Sequence, residues 1–339
     1  MASVQNAAVA YPGLLLPFGA SSDFMTHSLP AFAFRAVYAL LARLRPRTAA
    51  AYAGKAPAAP AAPDEGTGAI PRRIWSYWHS VQPDAFVERC VANWRAQCPG
   101  FEVHVLNRQT VRDRVPPGDW PAGFEQLDPV KQSDWIRLYL VSRFGGYWLD
   151  ATVLLTRPID WLEAMRGAQG ADFAGFYLQG YTQDAQFPVV ENWTFGAPSG
   201  GAFVTAWQRE FHHALFEVGT AAYLAARQAE PGWEALLQGI PDPVYLLGHV
   251  TAQRVLRQGG AAHRLALARA EDTAFFYQKA VGWKWYLLYP RLCLVPADAE
   301  VPPLVKLRGG ERRHFAQLFA RHGEPGSDTL WGRACRPRK

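Results

Sequence analysis

Asp150 closes a run, Gly145-Gly146-Tyr147-Trp148-Leu149-Asp150-Ala151-Thr152-Val153, whose residue types can build a site. Two glycines stop a helix, three bulky residues make a short buried strand, and a carboxylate emerges where the strand ends. Upstream, Ser133-Asp134-Trp135-Ile136-Arg137 lies in an apolar helical segment. Asp134 and Arg137 are three apart, so one helical face offers a hydrogen-bond acceptor and a cation together. A carboxylate suited to a ribose or a metal, beside polar groups suited to hexose hydroxyls, is the set a sugar nucleotide requires. Each element also has a plainer use. Asp134 and Arg137 can form a simple ion pair along the helix, and Asp150 can close a strand-end turn. Their succession favours the site, because an acid after three bulky apolar residues is uncommon without a partner.

The elements that must position these groups are readable nearby. Asp128-Pro129 supplies an N-cap and a first-turn proline for the helix that carries Asp134 and ends at Phe144. A folded domain is expected to begin at Ile70, with a dense apolar strand over 74–78. Phe86, Cys90, Trp94 and Cys98 then recur every four residues, which predicts a helix burying one face, and Pro99-Gly100 ends it. Phe101, Val103 and Val105 alternate with Glu102 and His104 as a strand does. Strand, helix, strand with short connections is a βαβ unit and implies a parallel sheet. Further on, the pattern predicts a strand over 192–196, helices over 202–218 and 244–256, and strand-like segments over 287–295 and 304–307. The fold class expected is α/β, a Rossmann-like mixed sheet, mostly parallel, flanked by helices. Its ligand would lie across the carboxyl ends of the strands.

Bulk composition narrows the function classes. The chain has 339 residues, 49% hydrophobic and 19% charged, which suits a large core and excludes wholesale disorder. A net charge of +6 suggests attraction to phosphate-bearing partners or anionic lipid. The basic residues are dispersed and follow no nucleic-acid-binding signature, so a nucleic-acid partner is not expected. Thirteen tryptophans could line a sugar-stacking surface, although core packing is the plainer use. Cys90, Cys98, Cys293 and Cys335 contain no C-x-x-C pair and read as reduced thiols, as in a reducing cytoplasm. The start lacks a basic region ahead of its apolar run at 13–18, so no signal peptide is expected. Residues 1–69 read as an N-terminal extension: a candidate amphipathic helix with Phe34, Val37, Tyr38 and Leu41 on one side, then an Ala/Pro-rich linker over 48–63. The basic stretch 30–47 could touch the inner face of an anionic membrane, or pack on the main domain or a second subunit. The main domain is expected over 70–325 and a basic tail over 326–339, in a protein that is cytoplasmic or peripheral on the inner membrane face.

Ile70-Pro71-Arg72-Arg73-Ile74-Trp75, the Ser133–Arg137 helix and Gly145–Asp150, in this order and spacing, resemble the capsular-polysaccharide-synthesis branch of sugar-nucleotide glycosyltransferases. That branch is related to mannosyltransferases of the Och1 type and to the glycosylating clostridial toxins. The resemblance covers about Ile70 to Asp160, is looser at Glu191-Asn192-Trp193 and at Leu304-Val305-Lys306-Leu307, and is absent before Ile70. It implies a GT-A fold, a nucleotide-diphosphate sugar donor, a glycan acceptor, and transfer with retention of anomeric configuration. By position, Trp75 or Tyr77 would stack on the nucleobase, with Gly146 close by. Ser133, Asp134 and Arg137 would hold the donor hexose. Glu191 and Asn192 would touch the acceptor or the reacting sugar, and Asp150 would bridge ribose and a metal-bound diphosphate. Residues 175–188 are where the loop contacts that select sugar, base and acceptor are expected.

One departure matters. The second acid of the family's D-x-D motif is Thr152 here, so a direct carboxylate ligand for Mn²⁺ or Mg²⁺ is missing, and Asp150 with the Thr152 hydroxyl would have to serve. Without a metal, charge building on the departing diphosphate needs another partner. Lys306, Arg308, Arg312 and Arg313 around Gly309-Gly310 offer one, either as a flap closing over phosphate or as a solvated basic loop. The rival function is a catalytically inactive relative that binds sugar nucleotide or glycan as a scaffold, which Thr152 alone supports.

Overall fold

Five parallel strands and one reversed strand form the central sheet of the computed structural model, which describes residues 68–336 together with Ala33, Ala36, Val37 and Leu40. The strands are β1 (Arg73–Tyr77), β2 (Glu102–Leu106), β3 (Gly146–Leu149), then, after the separate short strand β4 (Val153–Leu155), β5 (Phe173–Tyr177), β6 (Thr194–Ala197) and β7 (Leu265–Arg269). Their order across the sheet is β2-β1-β3-β6-β5-β7. β1 pairs in parallel with β2 and β3, β5 pairs in parallel with β7, and β6 runs antiparallel between β3 and β5. This is the expected mixed, mostly parallel α/β sheet flanked by helices. β1, helix α1 (Ala85–Gln97) and β2 form the βαβ unit that the apolar periodicity predicts.

Helix α2 (Pro129–Phe144) carries the first polar groups of the site, and its ends follow from local chemistry. The Asp128 carboxylate accepts from the backbone N–H groups of Val130 and Lys131, and Pro129 fills the first turn. At the other end Gly145 takes φ +65° and Gly146 φ +106°. A Cβ on Gly146 would stand 2.7 Å from the Arg73 carbonyl oxygen, so only glycine lets β3 start against β1. All four residues of β3 are buried, and Asp150 leaves the sheet at its carboxyl end.

A second, two-stranded sheet decides the site. β4 pairs antiparallel with β8 (Leu304–Lys306), bringing a segment from far along the chain beside Asp150 and Thr152. Helix α10 (Gly309–His322) follows at once, so Gly309 and Gly310 are the first turn of a helix and not the hinge of a flap.

Other elements differ from their predicted form. Of the 287–295 segment, 287–293 is helical as part of Trp285–Cys293, with Pro290 inside, because its apolar residues are largely buried and tertiary packing outweighs the lost backbone bond. The helix predicted over 202–218 is α-helical from Ala202 to His212 and continues as a π-helical turn over His213–Glu217. The 244–256 helix runs over Leu247–Gly259. The stretch beyond 325 is not a free tail throughout: Leu330–Ala334 is a helix whose Trp331 is 1% exposed, and the Ala334 carbonyl accepts from Asn93 and Gln97 of α1.

Of the N-terminal extension, the described positions Ala33, Ala36, Val37 and Leu40 are helical, with Val37 and Leu40 exposed. Phe34, Tyr38, Leu41 and the Ala/Pro linker lie outside the described residues. Among the described residues no helix is long and apolar enough to cross a membrane. Cys90, Cys98 and Cys293 are buried, Cys335 is half-buried, and all four are free thiols.

Candidate active site

Arg137 organises the site from the middle of α2. One terminal nitrogen forms an ion pair with the Asp134 carboxylate at 3.0 Å and donates to the Asn192 carbonyl at 3.0 Å. The other donates to Ser133 Oγ and to Asp150 Oδ1, both at 3.2 Å. Asn192 closes the ring by donating its side-chain amide to Asp134 at 3.1 Å. A planar guanidinium can serve two carboxylates this way because its donors are fixed in a fork.

Asp150 is held from three sides. Trp148 Nε1 donates to Oδ1 at 3.0 Å, beside Arg137, and the Lys306 ammonium meets Oδ2 at 3.1 Å. Its own N–H donates to the Trp193 carbonyl, which ties the end of β3 to the start of β6. Burial pushes its carboxyl up, but Lys306 and Arg137 outweigh that and hold it below the usual aspartate range. With its side chain 24% exposed, Asp150 still faces the cavity.

Asp134, Arg137, Asp150, Asn192, Lys306 and Arg308, drawn from four separate segments of chain, line a single cavity at the carboxyl ends of the parallel strands. The remaining candidates lie elsewhere. Ser133 stands behind the cavity as a support for Arg137. Gly146 is needed for the close approach of β3 to β1. Trp75 is 1% exposed, stacks on His104 with ring centroids 4.6 Å apart, and donates to the Gly145 carbonyl. Tyr77 donates to Gln132 of α2 at 3.0 Å, and burial pushes its phenol up to about 12. Both rings point to the face of β1 that α2 covers, so neither is presented to a nucleobase at this cavity.

Arg308 borders the cavity as the N-cap of α10, fixed by Glu311, by the Trp283 carbonyl at 3.0 Å, and by the Trp283 ring at 5.0 Å. Trp283 adopts φ +62°, a costly conformation for a bulky residue, in presenting that carbonyl. Arg312 turns away to Asp84 and Trp78, and Arg313 is exposed.

Other side chains surround the site: Glu191 is already a candidate from the sequence, whereas Lys131 and His249 carried no such signal. Lys131 sits one turn before Asp134, 4.0 Å from its carboxylate, and donates to the Tyr245 carbonyl; burial foremost lowers its ammonium. Glu191 and His249 form a buried pair at 3.0 Å on the cavity wall. Leu178 and Tyr181, from the stretch expected to meet an acceptor, also line it.

The residues present do not fit a divalent cation ligated by both Asp150 and Thr152. The Thr152 hydroxyl donates to the Leu307 carbonyl at 2.8 Å and accepts from Lys306 Nζ at 2.7 Å. Lys306 therefore already bridges the two oxygens that a metal would use. A dication on Asp150 would stand roughly 4 Å from that ammonium, a repulsion of about 8 kcal/mol at an effective dielectric of about 20. Among the described residues, no three His, Cys, Asp or Glu side chains come together as a metal-binding group.

Comparison with known proteins points to glycosyltransferase-like proteins. The model of the family described as "Capsular polysaccharide synthesis protein" matches residues 58–215, a span that holds Asp134, Arg137, Asp150 and Asn192. A relative, the O-glycosyltransferase braB of Annulohypoxylon truncatum, is 27% identical over 157 residues, which are 41% of this chain and 37% of that protein. The match thus spans little more than a third of the relative's length. The solved structure of PaToxG Glycosyltransferase aligns over 75% of this chain and 87% of its own at 11% identity, with a TM-score of 0.32, a likeness too distant to bear on the site.

Proposed function

We propose that the chain is a glycosyltransferase of GT-A architecture that moves a hexose from a nucleotide-diphosphate donor to a glycan acceptor, with retention, in the biosynthesis of a surface polysaccharide or related glycan. One observation carries the reading: Asp134, Arg137, Asp150, Asn192 and Lys306 converge on one cavity at the carboxyl edge of the sheet. The Asp134–Asn192 pair offers acceptors and donors to hexose hydroxyls. Asp150 is placed for the ribose, and Lys306 and Arg308 for the departing diphosphate, where negative charge develops.

Retention without a covalent intermediate is consistent with the state of the carboxylates. Asp134 is engaged by Arg137 and Asn192, Asp150 by Arg137, Trp148 and Lys306, and Glu191 by His249. A carboxylate held as a hydrogen-bond acceptor by two or three donors is a poor nucleophile. The acceptor hydroxyl would then attack the anomeric carbon from the face the nucleotide leaves, and the leaving phosphate would take its proton. In the cell, residues 30–47 would dock the protein on the inner face of the membrane, for which the exposed Val37 and Leu40 provide apolar contact. Co-sedimentation with anionic vesicles tests this, and equal recovery in the supernatant with and without vesicles refutes it.

The catalytic reading is tested with a panel of UDP-, GDP-, CDP- and dTDP-sugars, following the melting midpoint and release of nucleoside diphosphate. One nucleotide family should raise the midpoint and be turned over, and Asp150→Ala should lose both effects. Binding without release on any acceptor glycan would identify a non-catalytic scaffold. No midpoint shift with any donor would refute the proposal.

A further inference from the structure

The Lys306 ammonium is enclosed by Asp150, Thr152 and Leu307. It contacts Asp150 Oδ2 at 3.1 Å, Thr152 Oγ1 at 2.7 Å and the Leu307 carbonyl at 3.1 Å, so each of its three hydrogens has an acceptor. Two of these are the side chains at the first and third positions of Asp150-Ala151-Thr152. The lysine is 8% exposed, and it reaches this point because β8 pairs with β4, with Val153 opposite Lys306 itself.

Charge counting gives the same result. Two carboxylates around a dication sum to zero; one carboxylate, one threonine and one ammonium also sum to zero. Replacing the second acid by threonine would be a defect beside a metal. Beside a lysine it is a match, since a second carboxylate would leave the group one charge too negative.

We propose that this chain binds its nucleoside diphosphate without a metal ion, with Lys306 taking the place of the cation between Asp150 and Thr152. The inference rests on the glycosyltransferase reading and specifies how its site meets the diphosphate. The ammonium borders the cavity and can turn one hydrogen from the Leu307 carbonyl to a phosphate oxygen. That carbonyl is not orphaned by the exchange, because the Thr152 hydroxyl still donates to it at 2.8 Å. Thr152 thus acts as a positioning residue: it accepts from Lys306 while giving its own proton to Leu307, a pair of roles that an ionised aspartate cannot fill.

The test is calorimetric titration of the full chain with UDP, GDP, CDP and dTDP, in excess EDTA and in Mn²⁺, with electron paramagnetic resonance reporting free Mn²⁺. The nucleotide that binds should do so with a Kd within about twofold between the two conditions, and the protein should take up no Mn²⁺ beyond what free nucleotide holds. Lys306→Met should weaken binding in EDTA by about tenfold or more, the cost of a charge-assisted contact. Lys306→Met with Thr152→Asp should bind only with Mn²⁺, and should remove Mn²⁺ signal in proportion to protein. Wild-type binding that disappears in EDTA and returns with stoichiometric Mn²⁺ uptake would overturn the metal-free site while leaving the transferase standing. No binding of any of the four nucleotides in either condition would overturn both. The wild-type titrations decide the matter even if the variants do not fold.

Discussion

Removing the guanidinium of Arg137 should strand Asp134 more than Asp150, and the structure sets the size of the effect. The Arg137 side chain is 5% exposed and Asp134 8%, so both charges have left water for each other. Asp150 keeps Lys306 and Trp148 after the loss, whereas Asp134 keeps only the Asn192 amide and Lys131 at 4.0 Å. Breaking one partner of a buried pair costs about 3–5 kcal/mol. For a domain of this size that is a fall of roughly 10 °C in Tm, at ~2–4 °C per kcal/mol. Arg137→Met should show this loss in urea unfolding followed by tryptophan fluorescence. Adding Asp134→Asn should recover about half of it, because the stranded charge is then removed. Arg137→Lys should fall between, at about 1–2 kcal/mol, since an ammonium keeps the charge but cannot span both carboxylates. If Arg137→Met unfolds within about 1 kcal/mol of wild type, or if Asp134→Asn makes it worse, the reasoning that this pair is desolvated and mutually dependent is wrong.

Further outcomes follow from the same geometry. Because the Asp150 carboxyl is held below its unfolded value, its stabilising contribution is complete above the ordinary aspartate range and is lost only as pH falls through the lowered folded value. Asp150→Asn should therefore flatten part of the acid limb of a pH–stability curve and leave the neutral region's slope unchanged; a changed slope near neutrality would contradict this. Gly146→Ala should destabilise by about 2–4 kcal/mol through a positive φ and a Cβ thrust at the Arg73 carbonyl, read by thermal unfolding; a near-neutral result would mean that β3 can shift. Burial pushes the Cys335 thiol up to about 11 and raises Cys90 and Cys293 as well, so Ellman's reagent at pH 8 should modify Cys335 slowly and the buried thiols only on unfolding. Fast reaction of several thiols in the native protein would show that α1 and the Trp285–Cys293 helix are not closed over them.

The legible parts of this protein are those whose determinants are local. The helix bearing Asp134 and Arg137 could be bounded to the residue, because Asp128-Pro129 and Gly145-Gly146 are chemical start and stop signals. Asp150 could be placed at a strand end because Tyr147-Trp148-Leu149 leads into it. The 285–293 helix was misread as a strand because a short buried apolar run has no polar face to reveal its period. Trp75 and Tyr77 fall on the expected strand, but alternation cannot say which of its faces a helix will cover. Lys306 is legible as part of a strand-like segment and of a basic cluster that could be a flap or a loop, but nothing in its neighbourhood encodes contact with Thr152, 154 residues earlier. Thr152 itself was seen as a missing acid and not as a lysine partner, for the same reason.

The antiparallel pairing of β4 with β8 also sets an order of events in synthesis. A ribosome that has released residues 68–215 has produced the helix, the strand end, and every site residue up to Asn192. Asp150 then has Arg137 and Trp148 but no lysine, and the Thr152 hydroxyl has neither of its partners. The centre stays one charge short until the segment Leu304–Lys306 emerges and zips onto Val153–Leu155. A chain truncated before Leu304 would lack the Lys306 contacts with Asp150 and Thr152, however much of the central sheet it had formed.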